Sequence, residues 1–160
     1  MMRLSTRGLY ALEAVLAIAL QPDAERMSIR TISETTQISD HYLEQIFTLL
    51  KRGKIIKSLR GNQGGYNLAR QPENLTVGDV LRATEGPLTP VRCTSSADAG
   101  CDRAGKCLTR PVWATLESRI NQFVDRISIA DLVDSYNQDG YQADISVVSS
   151  ANVAERRVER

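Results

Sequence analysis

The sequence predicts a mainly α-helical chain with one small β-hairpin: a helix-turn-helix, then a wing, then a long helix. Three observations carry that prediction. Two short capped helical segments, "IRTISETTQ" from Ile29 and "DHYLEQIFTLLK" from Asp40, are separated only by a break around "ISD". Residues 54–69 alternate through "KIIKSL" and "YNLA" on either side of the turn-forming "RGNQGG". Residues 109–127 keep an apolar stripe at helical spacing.

The elements follow in order. Ser5 caps a first helix through about Leu20, with Leu9, Leu12, Leu16 and Leu20 at helical spacing and "QPD" ending it. Ser28 opens the second helix. Ser39 caps the third, from Asp40 to about Lys51, in which Leu43, Ile46, Phe47 and Leu50 share one face. Two short helices joined by a tight turn signal a helix-turn-helix, and the β-branched alternation about a glycine-rich turn signals a hairpin. Together they make a winged helix.

Thr76 caps the next helix, "LTVGDVLRATEG", which Gly86 closes; Pro87 and Pro90 then end regular structure. Thr109 caps a long helix that tolerates Pro111 in its first turn and runs to about Ile127. Its stripe of Val112, Trp113, Leu116, Ile120, Phe123, Val124 and Ile127 extends over about 28 Å. Packing on the chain's own core is one way to bury the stripe, but the winged helix is closed without it, so a helix from a second subunit is the favoured cover. Ser128 caps one more helix, "IADLVDSY". Four parts result: a winged helix-turn-helix DNA-binding domain at 1–86, a cysteine segment at 87–108, a long dimerisation helix with a short following helix at 109–137, and a tail at 138–160 expected to be disordered.

Composition excludes several classes. At 160 residues and 42% hydrophobic, the chain can build one core without disulfides. The apolar run near the amino terminus is interrupted by Glu13, short of the ~20 apolar residues needed to span a bilayer, so a soluble cytoplasmic protein without membrane association is expected. No phosphate-binding loop is present, and the sole histidine, His41, is assigned to the third, DNA-facing helix, which leaves none for a Ser-His-Asp or Cys-His arrangement, so no enzyme is expected. Net charge is +1, yet residues 51–60 carry five basic and no acidic side chains, and residues 26–70 hold eight basic against three acidic. A local patch of this kind suits phosphate contact, although a solvated surface gives the same pattern.

Within that patch, His41 lies two residues after the Ser39 cap, where the first turn of a DNA-reading helix meets base edges. An exposed histidine or a metal ligand are the alternatives. Glu44 suits a cytosine amino group and Gln45 an adenine, while Tyr42 either packs or reaches a phosphate. Lys51, Arg52, Lys54 and Lys57 are expected to neutralise phosphates, and Arg60, at the wing tip beside "GNQGG", to enter a narrow minor groove.

All three cysteines fall in "CTSSADAGCDRAGKC", as Cys93, Cys101 and Cys107, spaced C-x7-C-x5-C. In a reducing compartment an odd cluster of thiols points to metal or redox chemistry. Zinc sites use closer pairs and a fourth ligand, and a disulfide needs only two cysteines.

Through "MRLSTRGLYAL", "HYLEQIFTLLKRGKI", "RGNQGGYNLAR", "TVGDVLRATEG", the three cysteines and "KCLTRPVW", the chain resembles the IscR and NsrR type of winged-helix transcription regulators over residues 2–135. The resemblance implies a homodimer on double-stranded DNA, with the third helix in a major groove, the wing beside a minor groove and the long helices crossing at the dimer interface. It also implies an iron-sulphur cluster on Cys93, Cys101 and Cys107. Two positions depart from the pattern. Arg110 stands where the IscR type has a histidine, and Leu9 where the NsrR type has a carboxylate, with Glu13 one turn further on. The fourth ligand, and the choice between 2Fe-2S and 4Fe-4S, stay open. The function expected is a dimeric transcription regulator, repressor or activator, that senses cluster, redox or nitrosative status. A cluster-free thiol-sensing regulator and an iron-sulphur electron or cluster carrier are the alternatives.

Overall fold

The computed structural model describes residues 5–21, 26–59, 64–91 and 106–139. In order it forms α1 (Thr6–Ala19), α2 (Ile29–Thr36), α3 (Asp40–Arg52), β1 (Ile56–Leu59), β2 (Gly65–Leu68), α4 (Val77–Glu85), α5 (Arg110–Arg126) and α6 (Ile129–Asp139). The expected mainly helical winged-helix architecture is what is observed.

Local capping explains the helix starts. The side chains of Ser5, Ser28, Ser39 and Thr76 accept the backbone N–H of Arg7, Thr31, Tyr42 and Asp79 respectively, each satisfying a donor that the helix leaves unpaired. Thr76 and Asp79 form a reciprocal capping box, and Ser128 and Asp131 form a second at the start of α6. These two boxes lie side by side. Val77 donates to the Ile127 carbonyl at 2.9 Å and Ile129 to that of Leu75 at 2.8 Å, so a short antiparallel bridge fixes α6 to α4.

Thr109 departs from expectation. It stands at the cap position of α5 but is itself helical in conformation, and its hydroxyl makes no capping bond. The oxygen lies 3.4 Å from Cys107 Sγ instead. A one-turn 3-10 helix at Pro72–Asn74, unannounced by the sequence pattern, connects the hairpin to α4. At the other end α6 continues through Asp139, past the expected boundary at 137; residues 140–160 lie outside those described.

The core is centred on α1, which packs against α2, α3, α4, α6 and β2. Its most buried face is the row Ala11, Ala14, Val15, Ala17 and Ile18 rather than the leucines, of which Leu9 is exposed and Leu12, Leu16 and Leu20 are half-buried. Small side chains let four helices approach a central one closely, and the larger leucines fill the periphery. From the neighbouring elements, Ile32, Leu43, Ile46, Phe47, Leu50 and Ile55 are fully buried. Each contributes on the order of 1.5 to 3 kcal/mol of transfer free energy.

A second, smaller core joins α4 to α5 through Val77, Leu81, Leu88, Val124 and Ile127, with Ile120 packed against it. The apolar stripe of α5 therefore divides. One edge serves the chain's own core, while Val112, Leu116 and Phe123 stay 61%, 41% and 55% exposed.

Candidate nucleic-acid interface and cysteine segment

α3 is two-faced. Leu43, Ile46, Phe47 and Leu50 anchor it, and His41, Glu44, Gln45, Thr48, Lys51 and Arg52 are exposed. Residues three and four apart share a helix face, so His41, Glu44, Gln45, Thr48 and Lys51 form one polar row over about three turns. His41 and Gln45 hydrogen-bond through their side chains at 3.1 Å, and the Thr48 hydroxyl donates to the Glu44 carbonyl at 2.9 Å. Thr48 is the member of the row that the sequence reading does not single out, although its spacing from Glu44 and Gln45 is the signal for it. Tyr42 packs: it is half-buried, with its ring edge to face against Tyr10 at 5.7 Å.

The turn leaving α3 brings Lys54 and the hairpin into place. Ile55 N–H bonds the Leu50 carbonyl at 2.9 Å and Lys54 N–H that of Lys51 at 3.1 Å, the paired bonds of a Schellman cap. Such a cap needs a left-handed residue, and here it is Lys54 at φ 55°. Glycine would suit that position better, but the glycine sits one residue earlier. A Cβ on Gly53 would lie 2.7 Å from the Ala83 Cβ of α4, so close packing claims it there.

In the hairpin, Lys57 pairs with Asn67 and Ser58 with Tyr66 in an antiparallel register. Lys57 is exposed, as are Lys51, Arg52 and Lys54. Tyr66 also exchanges backbone hydrogen bonds with Met27, at 2.8 and 3.1 Å, which ties the wing to the chain entering α2. A Cβ on Gly65 would come within 2.8 Å of the Met27 carbonyl, which accounts for one glycine of the turn. Arg60 lies outside the described residues.

Of the cysteines, Cys107 is described and half-buried at the root of α5; Cys93 and Cys101 lie outside the described residues. Its carbonyl accepts the Arg110 N–H at 3.3 Å, which ties the Cys107 backbone to the first turn of that helix. Arg110 itself is exposed and Glu13 is exposed on α1. Among the described residues no group of three or more His, Cys, Asp or Glu is gathered for a metal ion.

The third helix thus presents a polar face flanked by four exposed cations, beside a hairpin pinned to the chain entering α2. The family model for Rrf2, described as an iron-dependent transcriptional regulator, matches residues 4–135. The chain belongs to the Rrf2 family. The HTH-type transcriptional regulator IscR of Escherichia coli is 36% identical over 134 residues, covering 84% of this chain and 82% of that one. Among solved structures, T. potens IscR superposes with a TM-score of 0.69 at 30% identity, over 89% of this chain and 93% of its own. CymR of B. subtilis, titled the global cysteine regulator, gives 0.68 at 30% identity over 84% and 98%. The Rrf2 chain is thus a winged-helix transcriptional regulator, and its relatives are named as regulators rather than enzymes. No helix among the described residues is long and apolar enough to cross a membrane.

Proposed function

We propose that this Rrf2 regulator binds double-stranded DNA as a cytoplasmic homodimer and controls transcription according to the state of an iron-sulphur cluster on Cys93, Cys101 and Cys107. The division of labour is residues 1–86 for DNA, 87–108 for the cluster and 109–137 for dimerisation. The two-faced α3 carries the DNA part: its buried row fixes the helix while the opposite row stands clear. A major groove about 12 Å wide admits such a helix. His41, Glu44 and Gln45 meet base edges there, Lys51, Arg52, Lys54 and Lys57 neutralise phosphates, Tyr42 supports the helix start beside a phosphate, and Arg60 enters the minor groove.

The donor chemistry of the cysteine segment fits a cluster, because thiolates are its usual ligands. Cys107 supplies one donor from the root of α5, and Thr109 offers its sulphur a hydroxyl at 3.4 Å. When bound, the cluster supplies a centre that reacts with oxidants and nitrosating agents. Arg110 carries only hydrogen-bond donors and stays protonated, so the fourth position falls to another group. For such a centre to regulate, its free energy must differ between two arrangements of the reading helices. The same Arg110, with the likeness to a cysteine regulator, favours a second reading: a thiol sensor that uses the cysteines without metal. A carrier function would leave the exposed row of α3 unused.

The test is anaerobic purification with absorption spectroscopy and iron and sulphide assay, alongside titration of specific and scrambled duplexes. A coloured protein that loses iron in Cys93→Ala, Cys101→Ala and Cys107→Ala, each still folded, is expected. A triple variant that keeps stoichiometric iron and sulphide would end the cluster assignment. Equal affinity for both duplexes, with and without the cluster, would end the regulator reading and promote the carrier.

A further inference from the structure

We infer that Arg82 is the positioning residue through which α5, with Cys107 at its root, holds α4 and the DNA-reading helix α3 in register. This role rests on the cluster-sensing function proposed above. α4 is wedged between the two. Toward α5, Gly78 leaves a gap that a side chain would close: an added Cβ would fall 2.7 Å from Arg82 Nη2 and 3.0 Å from Val124 Cγ2, and would collide with the Asp125 carboxylate. Toward α3, Ala83 occupies the space beside Gly53. Arg82 and Ala83 are consecutive, so one helical backbone joins the two contacts without a flexible link.

Into the gap above Gly78 the Arg82 guanidinium reaches as a fork. Nη1 donates to Asn121 Oδ1 at 3.0 Å and Nη2 donates to the Asp125 carboxylate. Asn121 is held in turn, since its amide donates to the carbonyls of Glu117 at 3.0 Å and Leu88 at 3.4 Å. Leu88 is buried in the second core where the chain leaves α4. The start of the cysteine segment is thus anchored to α5 at Asn121, and its end leads into the first turn of α5. A planar fork gripping two side chains one turn apart fixes both rotation and translation of α5 relative to α4. Helix shifts of about 1 to 2 Å, ordinary in switching proteins, either break the fork or carry α4 with it.

The pair contributes little static stability, because its side chains are 34% and 44% exposed. A matched control exists at the start of the same helix, on Asp79, which pairs with an arginine outside it. Arg70 pairs with Asp79 at 3.2 Å, with exposures of 41% and 31%, and its second bond goes to the Asn74 carbonyl rather than to α5.

The experiment measures the ratio of duplex affinities between anaerobically purified, cluster-loaded protein and the same protein after chelation, with melting temperature and iron content recorded for each variant. Arg82→Gln and Asp125→Asn should each bring the ratio toward one by about 2- to 30-fold, the double variant should match either single one, and Arg82→Lys should fall between. Arg70→Gln should keep the native ratio. A native ratio in both Arg82→Gln and Asp125→Asn, at native iron content, overturns the role of Arg82 while leaving cluster sensing in place. An equal loss in Arg70→Gln overturns it as well. A ratio of one in the unmodified loaded protein removes the sensing function and the coupling together.

Discussion

The ring of Tyr66, on the wing, meets the ring of Phe47, on α3, edge to face with centroids 4.6 Å apart. Phe47 is fully buried, and the Lys51 ammonium stands 6.0 Å from the centre of the Tyr66 ring. The separation between β2 and α3 is therefore set by core packing. Tyr66→Ala should cost about 2 to 4 kcal/mol of stability and weaken duplex binding, whereas Tyr66→Phe should keep both. Urea denaturation and a binding titration below the transition check this. Native stability in Tyr66→Ala would show that the hairpin is held by its backbone bonds alone.

Lys54 holds a left-handed conformation at φ 55° that a non-glycine residue adopts at a cost of about 1 to 2 kcal/mol. Lys54→Gly should therefore raise stability by about 0.5 to 1 kcal/mol, the larger unfolded-state entropy of glycine offsetting part of the relief. The same change removes a proposed phosphate contact. Higher stability with lower duplex affinity is the expected combination, read from a denaturant midpoint and a titration on one sample. A lowered midpoint would mean that the Lys54 side chain stabilises the cap by more than its backbone strain costs.

These two positions show what sequence legibility depends on. Ser5, Ser28, Ser39 and Thr76 are readable as caps because a cap is a local event within four residues, and the face of α3 is readable because burial repeats every three to four residues. The demand that placed Gly53 beside Ala83 comes from a residue thirty positions away, so the resulting strain at Lys54 has no local signal. Likewise the Leu9 row of α1 has the right period, yet which face is inside depends on how many helices surround α1. Thr109 has the right residue type for a cap, but its helical backbone and the neighbouring Cys107 sulphur give its hydroxyl another partner. The exposure of the polar row of α3 and of Lys51, Arg52, Lys54 and Lys57 was legible through periodicity and charge. The fork at Arg82 was not, because it joins residues about forty positions apart.

Salt dependence separates the proposed roles of the wing and of α3. Lys57 is exposed on β1, so Lys57→Ala should weaken binding to all duplexes about equally and make the log-log salt slope shallower by ~1, one fewer counterion being released. Glu44→Ala should instead relax preference at one position of each half-site by about 1 to 3 kcal/mol with a nearly unchanged slope. Titrations of specific and scrambled duplexes at several salt concentrations supply both numbers. A sequence-selective loss from Lys57→Ala would reverse the assignment.

The proposed dimer makes the sharpest demand on α5. Ile120, which the whole stripe would place in the seam, packs against the chain's own second core, so a charge there would damage the monomer as well. Val112, Leu116 and Phe123 are spaced four and seven residues apart on one face, and they remain exposed. Phe123→Glu should therefore dissociate the subunits while leaving each folded, because the new carboxylate is buried only when the partner is present. Ile120→Glu should lower the melting temperature in addition. Sedimentation at micromolar concentration, paired with circular dichroism, distinguishes the two. A Phe123→Glu protein that sediments as a native dimer would put the interface on another surface, and a native protein that is already monomeric at that concentration would remove the dimer itself.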